Sequence, residues 1–229
     1  MGINVVERVD DLVKVRNILV SVSDKSGLEQ FIPELVAINP QIRIFSTGGT
    51  FGRIAEILGV SHAGRLMQVS DYTGQPETQG GLVKTLDFKI YLGLLTETYN
   101  DAHQGDLKRT GSVPIDMVVV NLYPFKETIS KPDVTVEQAR GNIDIGGPCM
   151  IRASAKNYIR VASVVDPADY TRILPVLKAN RGATNLDLRF QLACKAFDHT
   201  AVYDRTIADF LATKAIKDVK NCYELEKKE

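Results

Sequence analysis

Short runs of apolar residues alternate along the chain with longer segments in which apolar residues recur at helical spacing. The runs "RNILVSVS", "IRIFS", "DMVVVNLY" and "RVASVV" are bounded by turn residues and predict buried strands. The segments "GLEQFIPELVAIN" and "TFGRIAEILG", the second closed by Gly59, predict helices. This alternation is typical of an α/β fold, so we expect a three-layer α/β/α domain around a mostly parallel central sheet.

The remaining segments extend this pattern toward the carboxyl terminus. We expect a long irregular loop from Ser61 to Gly81, a short helix around "VTVEQAR" and a further helix from about Ala168 to Asn180. The longest helix is expected over "LDLRFQLACKAFDHTAVYDRTIADFLA". With no internal repeat or linker in the sequence, the simplest division is an extension over residues 1–14, one domain over 15–212 and a charged tail over 213–229.

The composition narrows the classes of function. The 28 Lys and Arg residues balance the 28 Asp and Glu residues, and no basic stripe with interleaved aromatic residues is present. We therefore expect no nucleic-acid or membrane partner, although a small anionic ligand remains open. The start of the chain lacks the features of a signal peptide, and no apolar run approaches the ~20 residues of a membrane span. A cytoplasmic location is expected.

The cysteines and histidines do not suggest a metal site. Three cysteines and three histidines are widely spaced, without the short intervals of metal-ligand motifs. The sequence predicts free thiols at Cys149, Cys194 and Cys222, and it predicts no metal.

Two predicted strand-to-helix turns, "SVSDKSG" and "STGGT", are rich in Ser, Thr, Lys and Gly. Free amides at a helix amino terminus, together with hydroxyl groups and a lysine, suit a phosphate group. The plain alternative is helix capping, and Ser26 with Glu29 fits a capping box. Both turns follow successive strands at one edge of the sheet, which favours the phosphate interpretation. The candidate phosphate-binding residues are Ser23, Lys25, Ser26, Ser46, Thr47, Gly48 and Thr50.

Three further segments carry candidate reactive groups, each with a structural alternative. In "GGLVKTLDFK", Lys84 either binds an oxyanion or is a solvated charge. In "NLYPF", Tyr123 either lies at the mouth of a site or packs against its neighbours. In "GNIDIGGPCMIRASAKNY", Asp144 and Lys156 either form a buried ion pair of purely structural use or serve a function. Because burying such a pair rarely adds net stability, its presence favours a function.

Taken together, "SVSDKSGL", "STGGT", "VSDYTGQPE", "VKTL", "DMVVVNLYPF", "IDIGGPCMIRASAKN" and "KAFDHTAVYD" resemble the inosine monophosphate cyclohydrolase domain of the bifunctional purine-biosynthesis protein in order and spacing. The resemblance covers roughly residues 15–210. It implies a fold related to methylglyoxal synthase and closure of the second purine ring of formamido-imidazole-carboxamide ribonucleotide, with loss of water. It also implies a homodimer and no metal or organic cofactor.

The resemblance assigns roles to individual residues. The catalytic residues that it implies are Lys84, Tyr123, Asp144 and Lys156. The two Ser/Thr-rich turns match the family's contacts to the nucleotide phosphate. The further substrate-binding residues that it implies are Thr85, Asn121, Ile145 and Gly146.

Some positions depart from the family pattern near the implied site. Leu82 stands where the family has an arginine, Asp87 and Phe88 replace His-Pro, and Tyr91 replaces a histidine. The transformylase domain that usually follows is absent, so either a separate protein supplies the formylated substrate or the sequence is one domain of a longer chain. The alternative function is a non-catalytic regulatory domain of the same fold that binds a nucleotide or phosphate.

Overall fold

The computed structural model describes residues 5–75 and 85–226, and within them the chain forms a mostly parallel α/β fold. The strands are β1 (Val13–Lys14), β2 (Asn17–Val22), β3 (Arg43–Ser46), β4 (Leu66–Gln68), β5 (Met117–Asn121), β6 (Ala162–Val164) and β7 (Ala183–Thr184). In the described residues the main sheet has the order β4-β3-β2-β5-β6 and all of its pairings are parallel. The predicted parallel sheet is confirmed.

Helices cover both faces of this sheet. They are α1 (Leu28–Ile38), α2 (Gly48–Leu58), α3 (Val69–Thr73), α4 (Phe88–Leu95), α5 (Asp101–Thr110), α6 (Phe125–Ile129), α7 (Val136–Gly141), α8 (Gly146–Lys156), α9 (Tyr170–Ala179), α10 (Leu186–Ala212) and α11 (Ile216–Lys220). None of the helices in the described ranges is long and apolar enough to cross a membrane. The predicted three-layer α/β/α architecture is confirmed.

Successive residues of each buried strand point to opposite faces of the sheet and so build two separate cores. On β2, Ile18 and Val20 pack in the core formed with α1, α2 and α9. Leu19, between them, packs on the other side with residues of α4, α8 and α10. Because both faces are covered, the central strands are continuous apolar runs, which is why the sequence predicted them well.

The predicted irregular loop from Ser61 to Gly81 is wrong for its described part. A 3-10 turn ends at His62, β4 pairs with β3 through Leu66 and Ile44, and α3 follows directly. The strand is only three residues long and lies at the edge of the sheet, and "LMQ" has no β-branched residue to signal it. Residues 76–81 lie outside the described residues.

The segment before β2 is attached to the far end of the chain. β1 pairs antiparallel with β7, and the buried guanidinium of Arg189 on α10 donates to the carbonyl groups of Asp10 and Asp11. The proposed boundaries at residues 14 and 212 stay a prediction.

Candidate active site

A cavity of about 550 Å³ opens at the carboxyl ends of β2, β3 and β5. In an open parallel sheet this edge is where ligands bind, because loops and helix amino termini converge there. The described residues that line it are Ser21, Val22, Ser23, Lys25, Thr47, Gly48, Gly49, Thr50, Thr85, Leu86, Val120, Tyr123, Gly141, Asn142, Ile143, Asp144, Ile145, Gly146, Gly147 and Met150.

The turn after β2 is held by Asn121 at the end of β5. The side-chain oxygen of Asn121 accepts hydrogen bonds from the amides of Ser23 at 2.7 Å and Asp24 at 2.9 Å, and its amide group donates to the Asp24 carbonyl at 2.8 Å. Ser23 and Lys25 therefore reach the cavity from a fixed loop. Asn121 is not among the lining residues, so it supports the turn, whereas direct substrate contact was predicted.

The capping box of Ser26 and Glu29, given above as the alternative to phosphate binding, is not formed. Helix α1 begins after Gly27, which has a left-handed φ of 76° and makes no side-chain cap. The hydroxyl of Ser26 instead donates to the Asp24 carboxylate at 2.6 Å, and the same carboxylate oxygen accepts a hydrogen bond from the Ser26 amide at 2.9 Å. Ser26 does not line the cavity, unlike Lys25 beside it.

The turn after β3 presents the amino terminus of α2 to the cavity. Thr47 is the residue before the helix, and the amides of Gly48 and Gly49 make no hydrogen bond within the described part of the chain. Free amides and the positive end of the helix dipole at this point suit an anion. The Thr47 hydroxyl lies 2.9 Å from that of Ser21, which joins the two turns.

Two of the predicted phosphate-binding hydroxyls are used inside the protein. The fully buried Ser46 hydroxyl donates to the Val20 carbonyl at 2.7 Å. Thr50 lines the cavity, but its hydroxyl exchanges hydrogen bonds with the amide and carbonyl of Val22. These hydrogen bonds fix β3 and α2 against β2. The Ser46 hydroxyl therefore bonds to the Val20 carbonyl, whereas a contact with the ligand was predicted.

Asp144 lies in the loop between α7 and α8 and lines the same cavity. One carboxylate oxygen accepts a hydrogen bond from the Gly147 amide at 2.9 Å, and the Asp144 amide donates to the hydroxyl of Tyr203 at 2.8 Å. Burial raises the pKa of the Asp144 carboxyl, although hydrogen bonds from the amides of Gly147 and Tyr123 oppose the rise. A carboxylate in this setting is a stronger proton acceptor than one in water.

The mouth of the cavity is partly apolar. Tyr123 and Ile145 are 61% and 59% exposed there, while Thr85 is buried deeper with its hydroxyl toward Gly146. A Cβ atom on Gly146 would lie 2.7 Å from the Thr85 hydroxyl oxygen, so only glycine allows this approach. The predicted residues Thr85, Tyr123, Ile145 and Gly146 are thus gathered around one cavity.

The predicted ion pair between Asp144 and Lys156 is wrong. Asp144 precedes the first turn of α8, whereas Lys156 is its exposed last residue, and eleven residues of helix extend about 16 Å at ~1.5 Å each. Within the described residues Lys156 forms no ion pair and does not line the cavity. Lys84 and Leu82 lie outside the described residues.

Several lining residues were missed from the sequence. Ser21 and Gly49 belong to the two turns already noted, and their position beside Thr47 and Gly48 was the available signal. Asn142 and Gly147 flank "IDIG", and nothing in the sequence indicated that they line the cavity. In the described ranges no cluster of His, Cys, Asp and Glu could hold a metal ion, and all three cysteines are unpaired.

Comparison with known proteins connects this fold and cavity to a family. The MGS-like domain family matches residues 27–149, and the AICARFT/IMPCHase bienzyme family matches residues 154–229. The chain belongs to the MGS-like domain family, and its carboxyl-terminal third matches the AICARFT/IMPCHase bienzyme family. This confirms the resemblance inferred from the sequence motifs.

Individual relatives agree with this assignment. The chain is 48% identical over 201 residues to the bifunctional purine biosynthesis protein PurH of Chlorobium phaeobacteroides and 47% identical over 197 residues to that of Bacillus subtilis. These alignments cover 88% and 86% of the chain but only 37% of each relative, so the chain spans little more than a third of their length. The crystal structure of ForH superposes with a TM-score of 0.71 at 29% identity, covering 86% of this chain and 98% of ForH.

Proposed function

We propose that the chain is an inosine monophosphate cyclohydrolase, which closes formamido-imidazole-carboxamide ribonucleotide to inosine monophosphate and water in purine biosynthesis. The observation that carries the proposal is the cavity itself, in which a half-buried carboxylate, Asp144, faces two turns suited to a phosphate. The relatives named as bifunctional purine biosynthesis proteins support the choice of substrate.

The phosphate of the nucleotide is assigned to the turns after β2 and β3. The Gly48 and Gly49 amides and the positive end of α2 supply the donors, and Lys25 supplies the charge. Ser21, Ser23 and Thr47 add hydroxyl donors. The base then extends toward Tyr123 and Ile145 at the mouth of the cavity.

The reaction needs proton transfer and support for a developing oxyanion. The carboxamide nitrogen attacks the formyl carbon, a C–N bond forms, and the nitrogen gives up one proton while the formyl oxygen gains one and becomes a hydroxyl. The C–O bond then breaks, and the hydroxyl leaves as water with a second proton from the former formamide nitrogen, which forms the ring C=N bond. We assign the role of proton acceptor to Asp144. Tyr123 is placed at the cavity to donate toward the formyl oxygen, and Lys84, next to the lining residue Thr85, is proposed as the charge that stabilises it.

No cofactor is required in this scheme, because both reacting groups belong to one substrate. The protein holds the formamide and carboxamide in a reactive rotamer, which converts binding energy into orientation. The formyl group must come from a transformylase, either elsewhere in a longer chain or on a separate protein. A cytoplasmic location follows from this role as part of the proposal.

Lys156 fits the scheme only if a second copy supplies it, since it is exposed at the distant end of α8. We therefore propose a homodimer in which each Lys156 serves the partner's cavity. Mixing Lys156→Ala and Asp144→Asn proteins should restore part of the activity that each lacks, because one site in the mixed dimer keeps both groups. No recovery on mixing, although dimers form, would contradict shared sites.

The direct test is formation of inosine monophosphate from the formylated ribonucleotide by the purified chain, with and without chelator. Turnover that is unaffected by chelator and lost in Asp144→Asn is the expected result. Tight nucleotide binding by the wild-type chain without turnover would reject the enzyme and support the regulatory alternative.

A further inference from the structure

Tyr203 contacts the backbone of Asp144 from a distant part of the sequence. It lies on α10 within "KAFDHTAVYD", 59 residues beyond Asp144, and its hydroxyl accepts the hydrogen bond from the Asp144 amide at 2.8 Å. Tyr203 is not a lining residue of the cavity, so its contact with the site passes through Asp144.

The position of the Tyr203 hydroxyl is itself fixed by packing. The side chain is buried, and its ring meets Phe125 edge-on with centroids 6.2 Å apart. Phe125 in turn packs edge-on against Phe210, which lies on α10 like Tyr203. A tyrosine has only two side-chain torsions, so a buried ring between such neighbours holds its hydroxyl at a defined point.

Asp144 is thereby held at both of its ends. Its amide is bound by the Tyr203 hydroxyl, and its carboxylate is bound by the Gly147 amide at 2.9 Å. The neighbouring amides of Asn142 and Ile143 donate hydrogen bonds to carbonyls of α7. The Asp144 amide does not continue this series, since it donates to Tyr203. The hydrogen bond from Asp144 to Tyr203 therefore joins the backbone of this loop to α10.

We propose that Tyr203 is a positioning residue, which sets the orientation of the Asp144 carboxylate in the cavity without touching the substrate. This inference rests on the proposed cyclohydrolase function. Because reactive geometry is lost steeply with small displacements, an Asp144 released from Tyr203 should bind substrate normally and react slowly. The phosphate turns lie on other elements and do not depend on Tyr203.

The test is Tyr203→Phe, which keeps the packed ring and removes only the hydroxyl. We expect kcat to fall by ~10-fold while KM stays within about twofold of the wild-type value. The change removes one hydrogen bond from the backbone of Asp144 and none from the turns proposed to bind the phosphate. Tyr158→Phe is the matched control, because the Tyr158 ring also packs edge-on against a residue of α10, Phe190, away from the cavity. It should leave both constants unchanged.

The outcomes separate the two hypotheses. An inactive wild-type chain would reject the proposed function, whereas an active wild type with unchanged kcat in Tyr203→Phe would overturn the positioning role alone. A rise in KM equal to the fall in kcat/KM, with kcat unchanged, would also overturn it. Should Tyr203→Phe fail to fold, Phe125→Leu displaces the same ring while keeping its hydroxyl, and an unchanged kcat there would contradict the inference.

Discussion

The hydroxyl oxygens of Ser21 and Thr47 lie 2.9 Å apart and join the carboxyl end of β2 to the turn that follows β3. One hydroxyl donates to the other, so one proton of the pair remains to be donated to a ligand. Both residues line the cavity. The two segments are therefore joined into one surface, which we propose binds the anion, although they are separated by helix α1 in the sequence.

Ser21→Ala should weaken substrate binding. The change removes a direct donor and releases Thr47, so KM should rise by ~5- to 10-fold, the worth of about 1 kcal/mol, while kcat changes little. Steady-state kinetics with the formylated ribonucleotide measure this. Ser130→Ala, at the end of α6 and outside the cavity, is the control. An unaltered KM in Ser21→Ala would place the phosphate elsewhere.

Gly147→Ala should lower turnover. A Cβ atom on Gly147 would lie 2.5 Å from an Asp144 carboxylate oxygen and 2.6 Å from a Leu122 methyl carbon, so Asp144 must move. We expect kcat to fall by ~10- to 100-fold, the scale of a displacement of about 1 Å. Gly105→Ala in α5, where a Cβ meets nothing within 4 Å, should keep full activity and gain slightly in stability. Full activity in Gly147→Ala would show that the carboxylate position is not critical.

The buried ion pair between Asp116 and Arg160 should matter for stability more than for catalysis. Their side chains lie 3.1 Å apart, and Arg160 also donates to the carbonyls of Gly93 and Thr96. Asp116→Ala leaves a buried guanidinium without its carboxylate, so the free energy of unfolding should fall by about 3–5 kcal/mol.

Asp106→Ala breaks the exposed pair with Arg109 and should cost less than about 1 kcal/mol. Chemical denaturation of both variants provides the measurement. Equal losses in the two proteins would contradict the importance of burial for the Asp116 pair.

The fold was predictable wherever local pattern and burial agree. β2 and β5 are covered on both faces and appear as continuous apolar runs, and α10 shows helical spacing over its whole length. The edge strand β4 was missed because three residues without β-branched side chains give no pattern above that of a loop. Helices α4 and α5 were also not predicted.

The site was predictable where its residues are neighbours in sequence. The two Ser/Thr-rich turns and the segment around Asp144 do line one cavity. The predicted pairing of Asp144 with Lys156 was wrong. The two residues are close in the sequence, but helix α8 lies between them and holds them apart. The contact between Asp144 and Tyr203 spans 59 residues and depends on how α10 packs, which no local pattern reveals.

Asp144→Asn should separate catalysis from stability. Burial raises the pKa of the Asp144 carboxyl above its ordinary 3.8, so the native protein retains this proton at pH values where the unfolded chain has lost it. Between 3.8 and the raised pKa this group's contribution to stability therefore falls as pH rises, and at neutral pH the buried carboxylate costs stability. Asparagine is uncharged and keeps an oxygen for the Gly147 amide.

We expect Asp144→Asn to be more stable than the wild type at pH 7, with a difference that disappears as pH is lowered below 3.8. Its turnover should be at least ~100-fold lower, because the proton acceptor is gone. Wild-type kcat should decline as pH falls through the raised pKa, since only the ionised carboxylate accepts a proton. Denaturation at several pH values and the pH profile of kcat measure these effects. A less stable Asp144→Asn at pH 7 would mean that the carboxylate is stabilising, and a flat acidic limb would remove Asp144 as the base.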